Sequence, residues 1–281
     1  MQSVVVTGVS TGIGWSITKV LIQRGFRVFG SVRKMPDAER LSREFGTGFV
    51  PLIFDVTDEI AVLAAAQQVR EQLKGGTLAG LVNNAGIAVP GPLMHLPTDD
   101  FRRQLEVNLV SVLIVTKAFL PLLGTDRSLH GSPGRIINMS SVSGKIGYPF
   151  VGAYAASKHA LEGFSETLRR ELMLYAIDVI IIGPGSVATP IWDKAEQADI
   201  SLYAETEYAE SARRAMGYMI PTGKNGLPPE QVGEVVLQAL TAPQPRVRYE
   251  VARRGFIEQF LLEFLPKRLV DRFIARDLGF K

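Results

Sequence analysis

The chain has 281 residues, 46% of them apolar and 21% charged, a net charge of +3 and no cysteine. That length can bury a substantial core, and the composition is that of an ordinary globular protein. Without cysteine there is no disulfide framework, thiol nucleophile or thiolate metal site, and His95, His130 and His159 lack metal-ligand spacing, so no metal is expected.

The N-terminus runs directly into Ser3-Val4-Val5-Val6 with no basic leader, and no run approaches ~20 apolar residues. The expectation is a cytoplasmic protein without a secretory signal or spanning helix. Strands are expected at Ser3–Thr7, Arg27–Val32, Phe49–Phe54, Leu78–Val82, Arg135–Met139, Asp178–Ile182 and Arg246–Val251. Helical patterns fall near 13–24, 58–74, 101–123, 154–175 and 229–240. The strands are Val/Ile-rich rather than alternating, as when both sheet faces are covered. Repeated β-α-β order predicts an α/β fold: a single-domain, doubly wound parallel sheet of the Rossmann type, with about seven strands. It occupies residues 1–252.

Two segments break the alternation. Residues 186–228 are too long for a plain loop and read as a helical substrate lid. Residues 253–281 read as an amphipathic C-terminal extension in which Pro266 breaks or restarts a helix. Seven Lys/Arg against four acids in this extension account for the whole net charge. The rest of the chain is balanced, so no nucleic-acid footprint is present. A basic amphipathic helix can make weak peripheral membrane contact; packing over the body, the pocket mouth or another subunit is the alternative.

The first strand ends in Thr7-Gly8-Val9-Ser10-Thr11-Gly12-Ile13-Gly14, followed by a helix. Glycines there let the backbone turn tightly and approach a pyrophosphate, and the N–H groups at the helix start bind the anion. Ser10 and Thr11 can add hydroxyl donors. An NAD-type ribose is usually held by an acid about 20 residues further on. Here strand two ends in Val32-Arg33-Lys34 with no carboxylate, and an arginine suits a 2′-phosphate. Arg33 therefore points to NADP(H) in preference to NAD(H).

Tyr154 and Lys158 stand four residues apart, on one face of a helix that starts near the tyrosine. A free phenol titrates near pH ~10, and a close cation lowers that value. A shift of about three units needs roughly 4 kcal/mol, within reach of one cation in a partly desolvated cleft. The pair reads as a tuned general acid/base.

Together, Thr7–Gly14, Asn83-Asn84-Ala85-Gly86, Asn108, Ser141 with Tyr154 and Lys158, and Pro184-Gly185 with Thr189 resemble the short-chain dehydrogenase/reductase family. The resemblance is good over 1–190 and weaker to about 250. It implies Tyr154 as the proton donor in carbonyl reduction and the acceptor in alcohol oxidation. Lys158 would lower the tyrosine's pKa and bond the nicotinamide ribose. Ser141 would hold the substrate oxygen, and Asn108 a water in a relay to Lys158. Gly8, Ser10, Thr11, Gly12, Ile13 and Gly14 would form the phosphate loop. Asp55 and Val56 would meet the adenine, with Asn83, Ala85 and Gly86 beside the cofactor. Pro184, Gly185, Val187 and Thr189 would hold the nicotinamide end.

The stretch 141–161 and the long extension look most like the 17β-hydroxysteroid and retinol dehydrogenase branch. Aromatics in the lid and at Tyr148 and Phe150 suggest a roomy apolar pocket. A lipophilic alcohol or carbonyl is the implied substrate. A smaller ketone or 3-oxoacyl thioester is the alternative, and a non-enzymatic dinucleotide-binding regulator the reading from another class. Family analogy implies a homodimer or homotetramer through the helices of 101–123 and 154–175.

Overall fold

Val4, Val5 and Val6 have no exposed surface, yet they belong to two different cores: Val4 and Val6 to one, Val5 to the other. Successive strand side chains point to opposite faces, so a strand apolar at every position must be covered on both sides. In the computed structural model, which describes residues 1–197, 201–252 and 265–280, that is the arrangement. Strands β1 (Ser3–Val6), β2 (Arg27–Val32), β3 (Phe49–Ile53), β4 (Gly80–Asn83), β5 (Arg135–Met139), β6 (Asp178–Pro184) and β7 (Arg248–Val251) form one sheet. All its pairings are parallel, in the order β3-β2-β1-β4-β5-β6-β7. The single-domain, Rossmann-type α/β expectation holds, with seven strands.

One face carries α1 (Gly12–Gln23), α2 (Met35–Phe45) and α9 (Pro229–Thr241), burying Ile17, Leu21, Leu41, Val232 and Val236. The other carries α3 (Glu59–Leu73) and α5 (Ser111–Phe119), burying Val62, Val69, Val115 and Phe119. Strand order reverses between β1 and β4, and the crevice at that switch point is where such sheets bind ligands.

Three differences from the sequence expectations have physical reasons. The sequence reading has no helix over Met35–Phe45, although Pro36 in the first turn and the inward spacing of Ala38 and Leu41 support one. The stretch 101–123 begins earlier and is interrupted: α4 (Thr98–Leu105) passes through a π-turn (Glu106–Val110) into α5. This continuous helix, Thr98–Leu123, is long and apolar enough to cross a membrane, contrary to the expectation that no segment is. Its buried residues, Val115, Phe119, Leu122 and Leu123, explain the apolarity: they form part of the sheet's core.

The excursion after β6 is closed at its base. Leu227 N–H donates to the Ser186 carbonyl at 2.9 Å, and Ala188 N–H to the Leu227 carbonyl at 2.9 Å. Within it lie α7 (Ile191–Glu196) and α8 (Ala209–Lys224), matching a helical lid over 186–228; its Ile200 is outside the described residues. A side chain on Gly223 would begin 2.0 Å from the Trp192 ring, so glycine there lets the indole lie flat on α8. The indole N–H then donates to the Val187 carbonyl at 2.8 Å.

Residues 253–264 of the extension are outside the described residues. Beyond them, Pro266 caps the start of α10 (Lys267–Leu278). Leu278 is buried with Phe150, Ala212 and Ala215, while Ile274 and Phe280 pack against that cluster. The end of the chain thus lies across the lid. Lid and body can be tested separately: Gly223→Ala should displace Trp192 and speed limited proteolysis within 186–228. The core's thermal transition should shift little.

Candidate active site

Helix α6 (Gly152–Glu171) sets the geometry. It follows Phe150, a bulky residue held at φ +67°, a strained conformation that concentrates at functional sites. Phe150 is anchored there by its carbonyl, which accepts from Gly91 N–H at 2.7 Å, and by burial in the lid cluster. One turn on, Tyr154 and Lys158 share a face, with the ammonium 5.6 Å from the phenol ring centroid. Lys158 Nζ donates to the Met139 carbonyl at 2.7 Å, tying α6 to the end of β5. Ser141, two residues beyond that strand, accepts from Ser143 N–H at 3.1 Å and also hydrogen-bonds Tyr154 through its side chain. The structure therefore brings Ser141, Tyr154 and Lys158 together.

Electrostatics differ from the sequence expectation. Burial pushes the Tyr154 phenol above its ordinary value, opposed in part by the Ser141 hydrogen bond. Burial also brings Lys158 down from 10.5 to about 8, against the pull of Glu162. The expected acidified phenol is thus not produced by the protein's own groups, because desolvation of the phenolate outweighs the Ser141 hydrogen bond. At neutral pH the site holds a protonated phenol beside a mostly protonated amine.

Asn108 lies in the π-turn, which re-aims it toward the strand ends. It is 1% exposed. Its side chain accepts from Ile87 N–H at 2.9 Å and donates to the Ile87 carbonyl at 3.0 Å and Ser157 Oγ at 3.1 Å. It thereby clamps the loop after β4 to α6. Gly86 faces it: a Cβ there would lie 3.3 Å from Asn108 Oδ1.

The glycine loop is shaped for close backbone approach. Gly8 and Gly12 have φ +70° and +63°, and a Cβ on Gly14 would lie 2.2 Å from the Gly8 carbonyl oxygen. A Cβ on Gly12 would project to 3.4 Å from Thr189, so bare backbone separates the loop from the turn after β6. Thr11 makes no side-chain cap bond and no acid occupies the first turn of α1. The first amides of α1 have no intrahelical acceptor, which suits an anion. The cradle thus fits a dinucleotide pyrophosphate. Ile13 contributes backbone only, since its side chain packs on the core.

At the other end of the crevice, Arg33 is 73% exposed and 3.8 Å from Asp55, itself 44% exposed. Asp55 also accepts from Thr57 N–H at 3.0 Å and Thr57 Oγ1 at 2.8 Å. Val56 and Val187 are buried core residues, and Pro184 ends β6, so these can offer a ligand mainly their backbone. Gly185 N–H is committed to the Val251 carbonyl at 3.0 Å.

Asn83 faces the interior, donating to Asn138 Oδ1 at 2.8 Å and Thr116 Oγ1 at 3.1 Å. The next residue, Asn84, is the one that reaches the glycine loop. Its side chain donates to the Thr7 and Gly8 carbonyls at 2.8 and 3.1 Å. Thr7 Oγ1 accepts from Asn84 and Ala85 N–H at 2.9 and 3.0 Å. Sequence reasoning also passes over Arg40 on α2, whose guanidinium donates to the Ser10 carbonyl at 2.7 Å and braces the loop from outside. Strand alternation marks Asn84, and the spacing of α2 marks Arg40. Among the described residues, no group of three or more His, Asp or Glu side chains is placed to hold a metal.

Comparison with known proteins agrees with this geometry. The short chain dehydrogenase family profile matches residues 2–200. An NADPH-dependent 3-dehydrocapnine reductase of Ornithobacterium rhinotracheale is 37% identical over 278 residues, covering 99% of this chain and 98% of that protein. Retinol dehydrogenase 16 of Mus musculus is 33% identical, covering 96% of this chain and 87% of that one. Among solved structures, a short chain dehydrogenase/reductase from Burkholderia phymatum in complex with NAD superposes with a TM-score of 0.78 at 22% identity. It covers 93% of this chain and 92% of that one, a likeness of fold. The chain belongs to the short-chain dehydrogenase/reductase family and is an NAD(P)-dependent oxidoreductase of the CH–OH/C=O couple.

Proposed function

We propose that the protein is an NADP(H)-dependent reductase of a lipophilic ketone or aldehyde, with Tyr154 as general acid and the reverse oxidation through the same residues. The observation that carries this reading is Tyr154 hydrogen-bonded to Ser141 and sharing one helix face with Lys158, its phenol raised by burial. The dinucleotide, when bound, supplies the hydride. Ser141 and Tyr154 hold the substrate oxygen, Ser141 stabilising its developing charge and Tyr154 giving it a proton. Lys158 offsets the phenolate that remains. Asn108 keeps its proposed role of holding a relay water toward Lys158.

The apolar substrate class is supported by Phe150, Tyr148 and Tyr208 in the lid cluster beside α6, closed over by Leu278 and Phe280. The relatives named for 3-dehydrocapnine and retinol add to it. NADP(H) preference is supported by Arg33 at the end of β2 and by the NADPH dependence named for the first of those relatives. Exposed Val110 and Leu113 on the α4–α5 stretch, with Met173 and Leu174 just after α6, support a homo-oligomer through those helices. Weak membrane contact through 253–281 and cytoplasmic residence belong to the same proposal, and fractionation of the expressed protein tests both.

Tyr154→Phe should lower kcat for carbonyl reduction by about two to four orders of magnitude. Its NADPH Kd should stay within a factor of about three, and undiminished turnover would exclude the mechanism. The substrate panel is 3-dehydrocapnine, retinal, a steroid ketone, a small ketone and a 3-oxoacyl thioester. The first three should show the higher kcat/KM.

Reduction needs protonated Lys158 and protonated Tyr154. Because Lys158 is depressed to about 8, kcat/KM should be level below that pH and fall above it. A profile rising through pH 8 would contradict the assignment. Arg33→Ala should raise KM for NADPH about tenfold and leave KM for NADH nearly unchanged, an effect of about 1.4 kcal/mol. Equal effects on both would remove Arg33 as the discriminator.

A further inference from the structure

One turn beyond Lys158 on the same face of α6 stands Glu162, a carboxylate only 8% exposed. A buried carboxylate needs a partner, and this one has a forked one. Arg248, the first residue of β7, donates from Nε to Glu162 Oε2 at 3.0 Å and from Nη2 to Oε1 at 3.1 Å. The same Nη2 reaches the Ser141 backbone carbonyl at 3.5 Å. Arg248 also pairs with Glu250 on its own strand, and Lys145 from the loop after β5 comes to 4.0 Å from Glu162.

Two glycines make room for this cluster. A Cβ on Gly144 would lie 2.9 Å from Glu162 Oε1 and 2.7 Å from Ser140 Oγ, and one on Gly183 would lie 2.5 Å from Arg248 Nη2. Ser140 Oγ is buried with no hydrogen-bond partner. It adds a polar wall to the space that holds the carboxylate.

We propose that Glu162 and Arg248 are positioning residues for catalysis: their ion pair locks the Ser141 loop to the helix of Tyr154 and Lys158 and sets the field at the Lys158 ammonium. This deepens the reductase reading and rests on it. Three elements meet at the pair: α6 through Glu162, β7 through Arg248, and the strand-five loop through the Ser141 carbonyl. A rotation of the loop relative to α6 would break a charge-assisted fork rather than a single neutral hydrogen bond. The charged and titratable groups around Lys158 are Tyr154 and Glu162 on α6, Lys145 on the loop, and Arg248 and Glu250 on β7. Among them Glu162 is the group that opposes the loss of the Lys158 proton. Arg248 moderates it by sharing its charge.

The pH dependence of NADPH-driven carbonyl reduction tests the pair in the full-length protein. Glu162→Gln should move the alkaline limb of kcat/KM to lower pH by about one unit. Glu162→Asp, which keeps the charge, should leave the limb near its original place. The double variant Glu162→Gln/Arg248→Met leaves no buried charge facing an empty site, so it keeps the fold where a single variant leaves one charge buried and unpaired. It should show the lowered limb and lose on the order of tenfold in kcat through the freed Ser141 loop. A double variant that folds with unchanged limb and unchanged kcat would overturn the proposal. If the unmodified enzyme itself lacks an alkaline limb near pH 8, the fault lies with the reading of Lys158 and not with the pair.

Discussion

The arrangement depends on how deeply one helix face is withdrawn from water. Lys158 sits 6% exposed with its ammonium on the Met139 carbonyl, a position that costs it part of its charge and fixes α6 against the end of β5. Everything else at the centre takes its place from that contact. Tyr154, one turn earlier, is half-buried with its phenol raised by desolvation, and Ser141, two residues past Met139, falls within hydrogen-bond reach of it. Burial here adds to the proton affinity of a phenol that is protonated at neutral pH even in water, which is the form the proposed carbonyl reduction starts from.

The sheet supplies the frame. β1, β4, β5 and β6 all point their carboxyl ends at the same crevice, so the glycine loop, the loop after β4, Ser141 and the turn after β6 converge without long connections. Cross-links between these loops are short and specific. Thr7 and Asn84 join the first two, Asn108 joins the second to α6, and Arg248 joins the third to β7. The lid and the end of the chain then close the apolar side over Phe150.

Much of this was legible in the sequence because it is local. The Tyr154/Lys158 face follows from helix periodicity, and the phosphate loop from glycines placed between a strand and a helix. What was not legible depends on partners far along the chain. Glu162 stands four residues from Lys158 and could be placed on its face, but its partner Arg248 lies 86 residues away. The π-turn that re-aims Asn108 has no sequence mark of its own. Asn83 and Asn84 were separable in principle, since adjacent residues of an extended chain face opposite ways: the Asn83 side chain turns to Asn138 in the interior and that of Asn84 to the glycine loop. The direction of the Tyr154 shift could not come from sequence, because it is set by the balance of burial against the hydrogen bond from Ser141.

The central claim is that the protein's own groups raise rather than lower the Tyr154 phenol while Lys158 stands charged beside it. Selective 13C labelling of tyrosine, with Tyr154→Phe to assign the signal, allows that phenol to be titrated by NMR in the full-length protein. The account predicts ionisation above that of a free tyrosine in the protein alone, falling when NADP+ brings a positive ring to the crevice. A Tyr154 signal already ionised near neutral pH without the dinucleotide would contradict it.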